Sequence, residues 1–132
     1  MAVNVLVVDY SGVMRSMIIK AIRLSGLQLG EVHQAANGRE GLEALHQHWF
    51  DLVIADINMP VMNGEEMIDR MLDRPELKDI PIVVISTEGS NTRVERLQTK
   101  GARFIHKPFT PEALRDTVKD FLGGRVFNGT AS

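Results

Sequence analysis

The chain of 132 residues contains no cysteine, which excludes a disulfide framework, a thiolate metal site and a cysteine nucleophile together. It has no surplus of either charge: 15 Lys and Arg against 17 Asp and Glu give a net charge of −2. A duplex-binding protein needs a basic footprint, so nucleic acid is not an expected partner. No stretch approaches the roughly 20 apolar residues of a membrane span, and the opening MAVNVLVVDY has no basic segment before its apolar run. A cytoplasmic location without membrane contact is the expectation. Repeats, charge blocks and interdomain linkers are also missing. What remains, at 44% hydrophobic and 24% charged, is an ordinary globular composition of one-domain length.

Within it, short apolar runs alternate with segments of helical period. Val3–Val8 (VNVLVV), 31–35, Leu52–Ala55 (LVIA), 80–85 (IPIVVI) and 103–106 read as strands. The first helix is expected over 11–25, with Met14, Met17, Ile18, Ala21, Ile22 and Ser25 on one face. A second opens on Asn37 as N-cap, with Glu40 as capping-box partner and an apolar stripe of Leu42, Leu45 and Trp49. A third covers 65–73 (Met67, Ile68, Met71, Leu72) and stops before Pro75. A fourth covers 91–100, with Val94 and Leu97 inward and Gly101 as its stop. The last opens on Thr110-Pro111 and runs through Leu114, Val118, Phe121 and Leu122. Strict alternation implies an α/β fold, a doubly wound parallel sheet with apolar residues on both faces of its central strands. The domain is expected over 1–122 and a flexible, Gly-rich tail over 123–132.

Right-handed crossovers put every strand-to-helix loop at one edge of such a sheet, where ligands bind. The residues at those strand ends are Asp9-Tyr10, Asp56, Ser86-Thr87 and Lys107-Pro108. One strand-end Asp alone would be ordinary turn chemistry. Two carboxylates, a hydroxyl and an ammonium at four strand ends instead suit phosphoryl chemistry. Oxygen ligands suit a hard cation such as Mg²⁺, a carboxylate can accept a phosphoryl group, and Lys and Ser can hold phosphoryl oxygens. The four His residues are scattered, and His46 and His48 fall on different helix faces, so they are read as solvated surface. Met59 and Met62, in the loop after Asp56, are expected beside the site and open to a partner.

The blocks VLVVDYSGVMR, FDLVIADINMPVMNG, IPIVVISTEG and GARFIHKPFT resemble the receiver domains of two-component response regulators, in particular the stand-alone chemotaxis regulators of the CheY type. The resemblance spans residues 3–122. It implies a flavodoxin-like sheet of order 2-1-3-4-5 with five helices. It also implies a signalling protein rather than an enzyme, phosphorylated at Asp56 by a sensor histidine kinase. Mg²⁺ would be held by Asp9, Asp56 and the backbone carbonyl of Asn58, and the phosphoryl group by Ser86 and Lys107. A switch would couple Ser86 to the aromatic Phe104, altering a surface of the fourth helix, fifth strand and fifth helix that binds a target such as a flagellar switch. Asn58 and Glu88 would tune phosphoryl lifetime, Lys107-Pro108 would be cis, and the protein is expected to be a monomer.

One position departs from the pattern. Where the family has a second acidic residue that contacts the metal, this chain has Tyr10, a phenol that is neutral at pH 7 and a poor ligand for a hard cation. Two outcomes follow: a weakened Mg²⁺ site, with Lys107 less strongly held, or a degenerate receiver that signals by protein binding alone. Other classes fit less well. Phosphatases of the haloacid dehalogenase class need a general acid/base two residues after the nucleophile, and Asn58 cannot serve. Neither GxGxxG nor GxxxxGK[ST] follows the first strand. The segment after residue 122 offers no helix-turn-helix for a transcription factor.

Overall fold

The structure, a computed structural model, describes residues 2–123. Ten elements alternate: β1 (Val3–Val8), α1 (Gly12–Leu24), β2 (Leu29–Ala35), α2 (Gly38–Gln47), β3 (Leu52–Ala55), α3 (Gly64–Leu72), β4 (Ile82–Ser86), α4 (Asn91–Thr99), β5 (Arg103–His106) and α5 (Pro111–Leu122). The five strands pair in parallel in the order β2-β1-β3-β4-β5, the doubly wound sheet expected from the alternation.

Side chains alternate across each strand, so an apolar run on a sheet covered by helices on both sides supplies two cores. Leu6, Val8, Val53, Ala55, Ile82 and Val84 pack with Leu45, Phe50, Met67, Ile68, Met71 and Leu97 from the α2–α3–α4 side. Val5, Val7, Leu52, Ile54, Val83 and Ile85 pack with Ile18, Ala21, Ile22, Leu114 and Val118 from α1 and α5. Every helix opens on a polar cap. The side chains of Ser11, Asn37, Asn63, Ser90 and Thr110 accept the amides of Met14, Glu40, Glu66, Arg93 and Ala113. Gly101, at φ +97°, follows α4 in the left-handed region that stops a helix.

Several local expectations are corrected. Trp49 is not on the α2 stripe, because α2 ends at Gln47 with His48 as cap, and the indole is 63% exposed. The fully buried Phe50 fills the core there instead. Met17 lies on the outer face of α1, and Ser25 is its C-cap, donating to the Ile22 carbonyl. Glu40 does not close a capping box on Asn37; its carboxylate accepts the Ala36 amide. The complete box is at Asn63–Glu66 on α3. β2 starts at Leu29, ahead of Gly30, and β4 at Ile82, because Pro81 has no N–H to join the ladder. Met59 and Met62 are half-buried and pack against the core. The expected flexible tail lies outside the described residues apart from Gly123.

An ion cluster joins α3 to α4. The guanidinium of Arg96 grips the Glu65 carboxylate (Nη2–Oε1 2.8 Å), and Lys100 Nζ reaches Glu65 at 3.0 Å and Asp69 at 2.7 Å. The Arg96 hydrogen bond lowers the Glu65 pKa from 4.5 to about 2, with Lys100 adding to it and burial opposing it. A depressed carboxylate contributes stability that is complete above pH 4.5 and lost as pH falls toward 2. Glu65→Gln is therefore expected to lower unfolding free energy by about 1–2 kcal/mol at pH 7, with exposure of Arg96 holding the effect to this range. Urea melts at pH 7 and pH 2.5 check it: the deficit should shrink at the lower pH.

Candidate functional site

The four strand-end groups meet at the carboxyl edge of the sheet. Asp9 directly follows β1. Its amide donates to Ala35 O and the Asp56 amide donates to Val8 O, which draws the ends of β2, β1 and β3 together. The Asp9 side chain is buried; its Oδ1 accepts the Ser11 amide at 2.9 Å and its Oδ2 faces Lys107 Nζ at 3.1 Å. Asp56 accepts the Ile57 amide on Oδ1 at 2.7 Å and lies 3.4 Å from the same Nζ through Oδ2. One ammonium thus sits between two carboxylates, with Lys107 and Asp56 only 13% and 12% exposed at their side chains.

Ser86 ends β4 and is fully buried. Its carbonyl accepts the Lys107 amide at 2.9 Å, and its hydroxyl accepts the Glu88 amide at 3.2 Å. Lys107-Pro108 is cis. Phe104 is half-buried against the α2–α3–α4 core and lies edge-on to His106 at 4.7 Å. The register pairs Val84 with Phe104 and Ser86 with His106, so Phe104 and Ser86 share a face on neighbouring strands, two positions apart with the Ile85–Ile105 pair between them. Asn58 is exposed. Glu88 turns its carboxylate toward Arg93 of α4, 3.6 Å away.

The loop between Asp56 and α3 is tightly shaped. Gly64 N donates to Ile57 O at 2.8 Å, and a Cβ at residue 64 would lie 2.1 Å from the Asp56 carbonyl oxygen. Val61 is held at φ +67°, costly for a β-branched residue, while Met62 N closes a tight turn onto Pro60 O at 2.7 Å. Sequence reasoning missed Arg15. Its Nη1 donates to the Asp9 carbonyl at 2.7 Å and its Nε to Gln34 Oε1 at 2.9 Å, so it ties the loop carrying Asp9 to α1 and β2. An arginine in the first turns after a strand-end aspartate was the available signal.

Tyr10 is 65% exposed, so it adds no donor to the pair of carboxylates. Among the described residues no group of three or more His, Cys, Asp or Glu side chains could hold a metal ion. A hard cation here would rest on Asp9, Asp56, a backbone carbonyl and water. That all-oxygen set fits Mg²⁺, which takes one or two carboxylates and keeps several waters.

The chain is similar to known proteins over nearly its whole length. A chemotaxis protein CheY homolog of Campylobacter jejuni is 34% identical over 130 residues, covering 97% of this chain and 98% of the relative. The solved structure of chemotaxis protein CheY4 of Vibrio cholerae superposes with a TM-score of 0.80 at 35% identity, covering 91% of this chain and 98% of that one. A CheX–CheY–BeF3–Mg complex from Borrelia burgdorferi reaches a TM-score of 0.83 at 26% identity, over 91% and 89% of the two chains. Residues 5–119 match the response regulator receiver domain. With four strand-end groups gathered at one sheet edge, the family model matched over residues 5–119 and a 34% identical relative covered almost end to end, the chain belongs to the response regulator receiver domain family.

Proposed function

We propose that the protein is a cytoplasmic, monomeric response regulator of chemotaxis type, phosphorylated on Asp56 by a sensor histidine kinase. The observation that carries this reading is Lys107 Nζ standing between the carboxylates of Asp9 and Asp56, with Ser86 bonded to the same strand end. A carboxylate oxygen of Asp56 attacks the phosphorus of a phosphohistidine, the P–N bond breaks, and an acyl phosphate remains. Lys107 offers its charge to the phosphoryl oxygens and the Ser86 hydroxyl a hydrogen bond. Asp9, Asp56 and the Asn58 carbonyl would hold Mg²⁺, whose charge would stabilise the same oxygens. No general acid/base follows at position 58, so the acyl phosphate persists as a signal, and Asn58 and Glu88 tune its lifetime.

Once Ser86 turns toward the phosphoryl group it gives up the Glu88 amide, and the space it leaves lies beside Phe104. An inward Phe104 then changes the α4–β5–α5 face that binds a downstream protein, by the family's pattern a flagellar switch or a CheX-like partner. Beryllofluoride, a non-covalent stand-in for the phosphoryl group, tests this with Mg²⁺ present. Amide NMR shifts are expected at Asp56, Ser86, Phe104 and Lys107 in the wild type and not in Asp56→Asn. A wild type without those shifts would refute the switch.

A second reading, a degenerate receiver that acts by binding alone, is favoured by one observation: Tyr10 leaves the site a carboxylate short. The two readings separate on phosphorylation of the wild type by a small donor at high Mg²⁺, which a degenerate receiver would not undergo; Tyr10→Asp tests the premise they share. A unit charge about 4 Å from a divalent ion contributes on the order of 2 kcal/mol even in water, more than tenfold in affinity. Calorimetry should therefore show Mg²⁺ binding at least tenfold tighter in Tyr10→Asp. An unchanged affinity would place residue 10 away from the metal.

A further inference from the structure

At the opposite pole of the sheet, where β3 and β4 begin, a cavity of about 400 Å³ opens between the end of α2 and the turns after α3. Its walls include Trp49, Pro75, Glu76, Asp79, Ile80 and Pro81, and among the described residues no cationic side chain lines it. Trp49 is the only tryptophan of the chain and is 63% exposed. Its indole is nonetheless anchored: Nε1 donates to Asp51 Oδ1 at 3.2 Å, while Asp51 Oδ2 accepts the Asn4 amide at 2.9 Å. The ring's single donor is thus used inside the protein, and the indole lines the cavity with its carbon surface. Asp79 has no hydrogen-bond or ion-pair partner among the described residues. Glu76 has only an exposed contact to Arg74 at 3.7 Å.

An apolar floor with an aromatic face and carboxylates at the rim is complementary to one kind of side chain. We propose that this cavity is a docking pocket for an arginine of a basic segment on a partner protein, stacked on Trp49 and paired with Asp79 and Glu76. A guanidinium is planar, so it stacks on an indole and meets a carboxylate through its fork; an ammonium does neither as well. Its stem would cover Ile80 and the two prolines. An exposed tryptophan anchored through its Nε1 is also the residue type that dominates protein interfaces. The pocket lies one strand length, about 13 Å, from Asp56, so a partner held there leaves the carboxyl edge and the α4–β5–α5 face free. This proposal does not depend on phosphorylation.

Because the chain has one tryptophan, its fluorescence reports on this pocket alone. The full chain is titrated with three blocked tripeptides, acetyl-Gly-X-Gly-amide with X as arginine, lysine or norleucine. The arginine peptide should give a saturable change in emission, with half-saturation at least threefold below that of lysine, and norleucine should give none. Asp79→Asn should weaken the arginine peptide at least fivefold. Trp49→Phe should weaken it as strongly, followed by the Ile80 amide shift in NMR. An equal response to norleucine, no saturable change with arginine, or full binding in Asp79→Asn would overturn the proposal. So would an emission shift with protein concentration alone, which would make a second copy the occupant.

Discussion

Gly64→Ala is expected to lower unfolding free energy by about 3 kcal/mol and to displace Asp56. The new methyl group would stand 2.1 Å from the Asp56 carbonyl oxygen and 3.0 Å from Ile57 Cα. These are backbone atoms, so no rotamer change relieves the clash. Either α3 backs away, which breaks the 2.8 Å bond from Gly64 N to Ile57 O and opens the packing of Met67, Ile68 and Met71, or the Asp56–Ile57 peptide turns. The second route moves the amide that holds Asp56 Oδ1 at 2.7 Å. Gly89→Ala is the control, since a Cβ there meets nothing within 4 Å, and it should change stability by less than about 0.5 kcal/mol. Urea melts of both variants check the pair.

Lys107→Met should cost both stability and acceptor chemistry. Its ammonium is 3.1 Å from Asp9 and 3.4 Å from Asp56, and Asp9 is 3% exposed at its side chain. Removing it leaves two largely buried carboxylates facing each other without a cation, a loss of about 2–4 kcal/mol. Phosphorylation by a small donor should fall by about 10²–10³, the usual effect of removing one preorganised charge or donor from a transition state. Lys107→Arg separates the two effects. It keeps the charge and most of the stability, but a planar fork cannot take the place of a point charge between the two carboxylates, so the rate stays low. Melts and single-turnover rates on the three proteins check this, and a Lys107→Met protein as fast as wild type would remove Lys107 from the chemistry.

Much of this was legible in the chain because it rests on local pattern. Unbroken apolar runs at Val3–Val8 and Leu52–Ala55 marked strands buried on both faces. The handedness of parallel crossovers then placed Asp9, Asp56, Ser86 and Lys107 at one edge without any knowledge of their contacts. What escaped depends on tertiary pairing. The helical period runs through Leu42 and Leu45 to Trp49, and no Gly or Pro marks the end of α2 before it. Only packing decides that Phe50, not Trp49, fills the core. The link from Glu65 and Asp69 to Arg96 and Lys100 joins two helices that are solvated and polar when read singly. Gly30 hid the start of β2, and Pro81, apolar but without a donor, lengthened β4 on paper.

An all-oxygen site with two carboxylates still suits a divalent ion, yet it has one fewer negative charge for Lys107 to balance. The proposed acceptor is therefore expected to need more Mg²⁺ than a site with the third carboxylate, and to be less crowded with charge when no metal is bound. Both consequences follow from residue 10 alone. Neither alters the fold, since Tyr10 is exposed and no core residue packs on it.

Intact-mass analysis of the full chain after exposure to acetyl phosphate tests the account most directly. Wild type with millimolar Mg²⁺ should gain the mass of one phosphoryl group. The adduct should be labile to hydroxylamine, as an acyl phosphate is, and should not form when Mg²⁺ is chelated before acetyl phosphate is added. Asp56→Asn should gain nothing. A wild type that stays unmodified at high Mg²⁺, or an Asp56→Asn protein that is modified equally, would contradict the assignment of Asp56 as the acceptor.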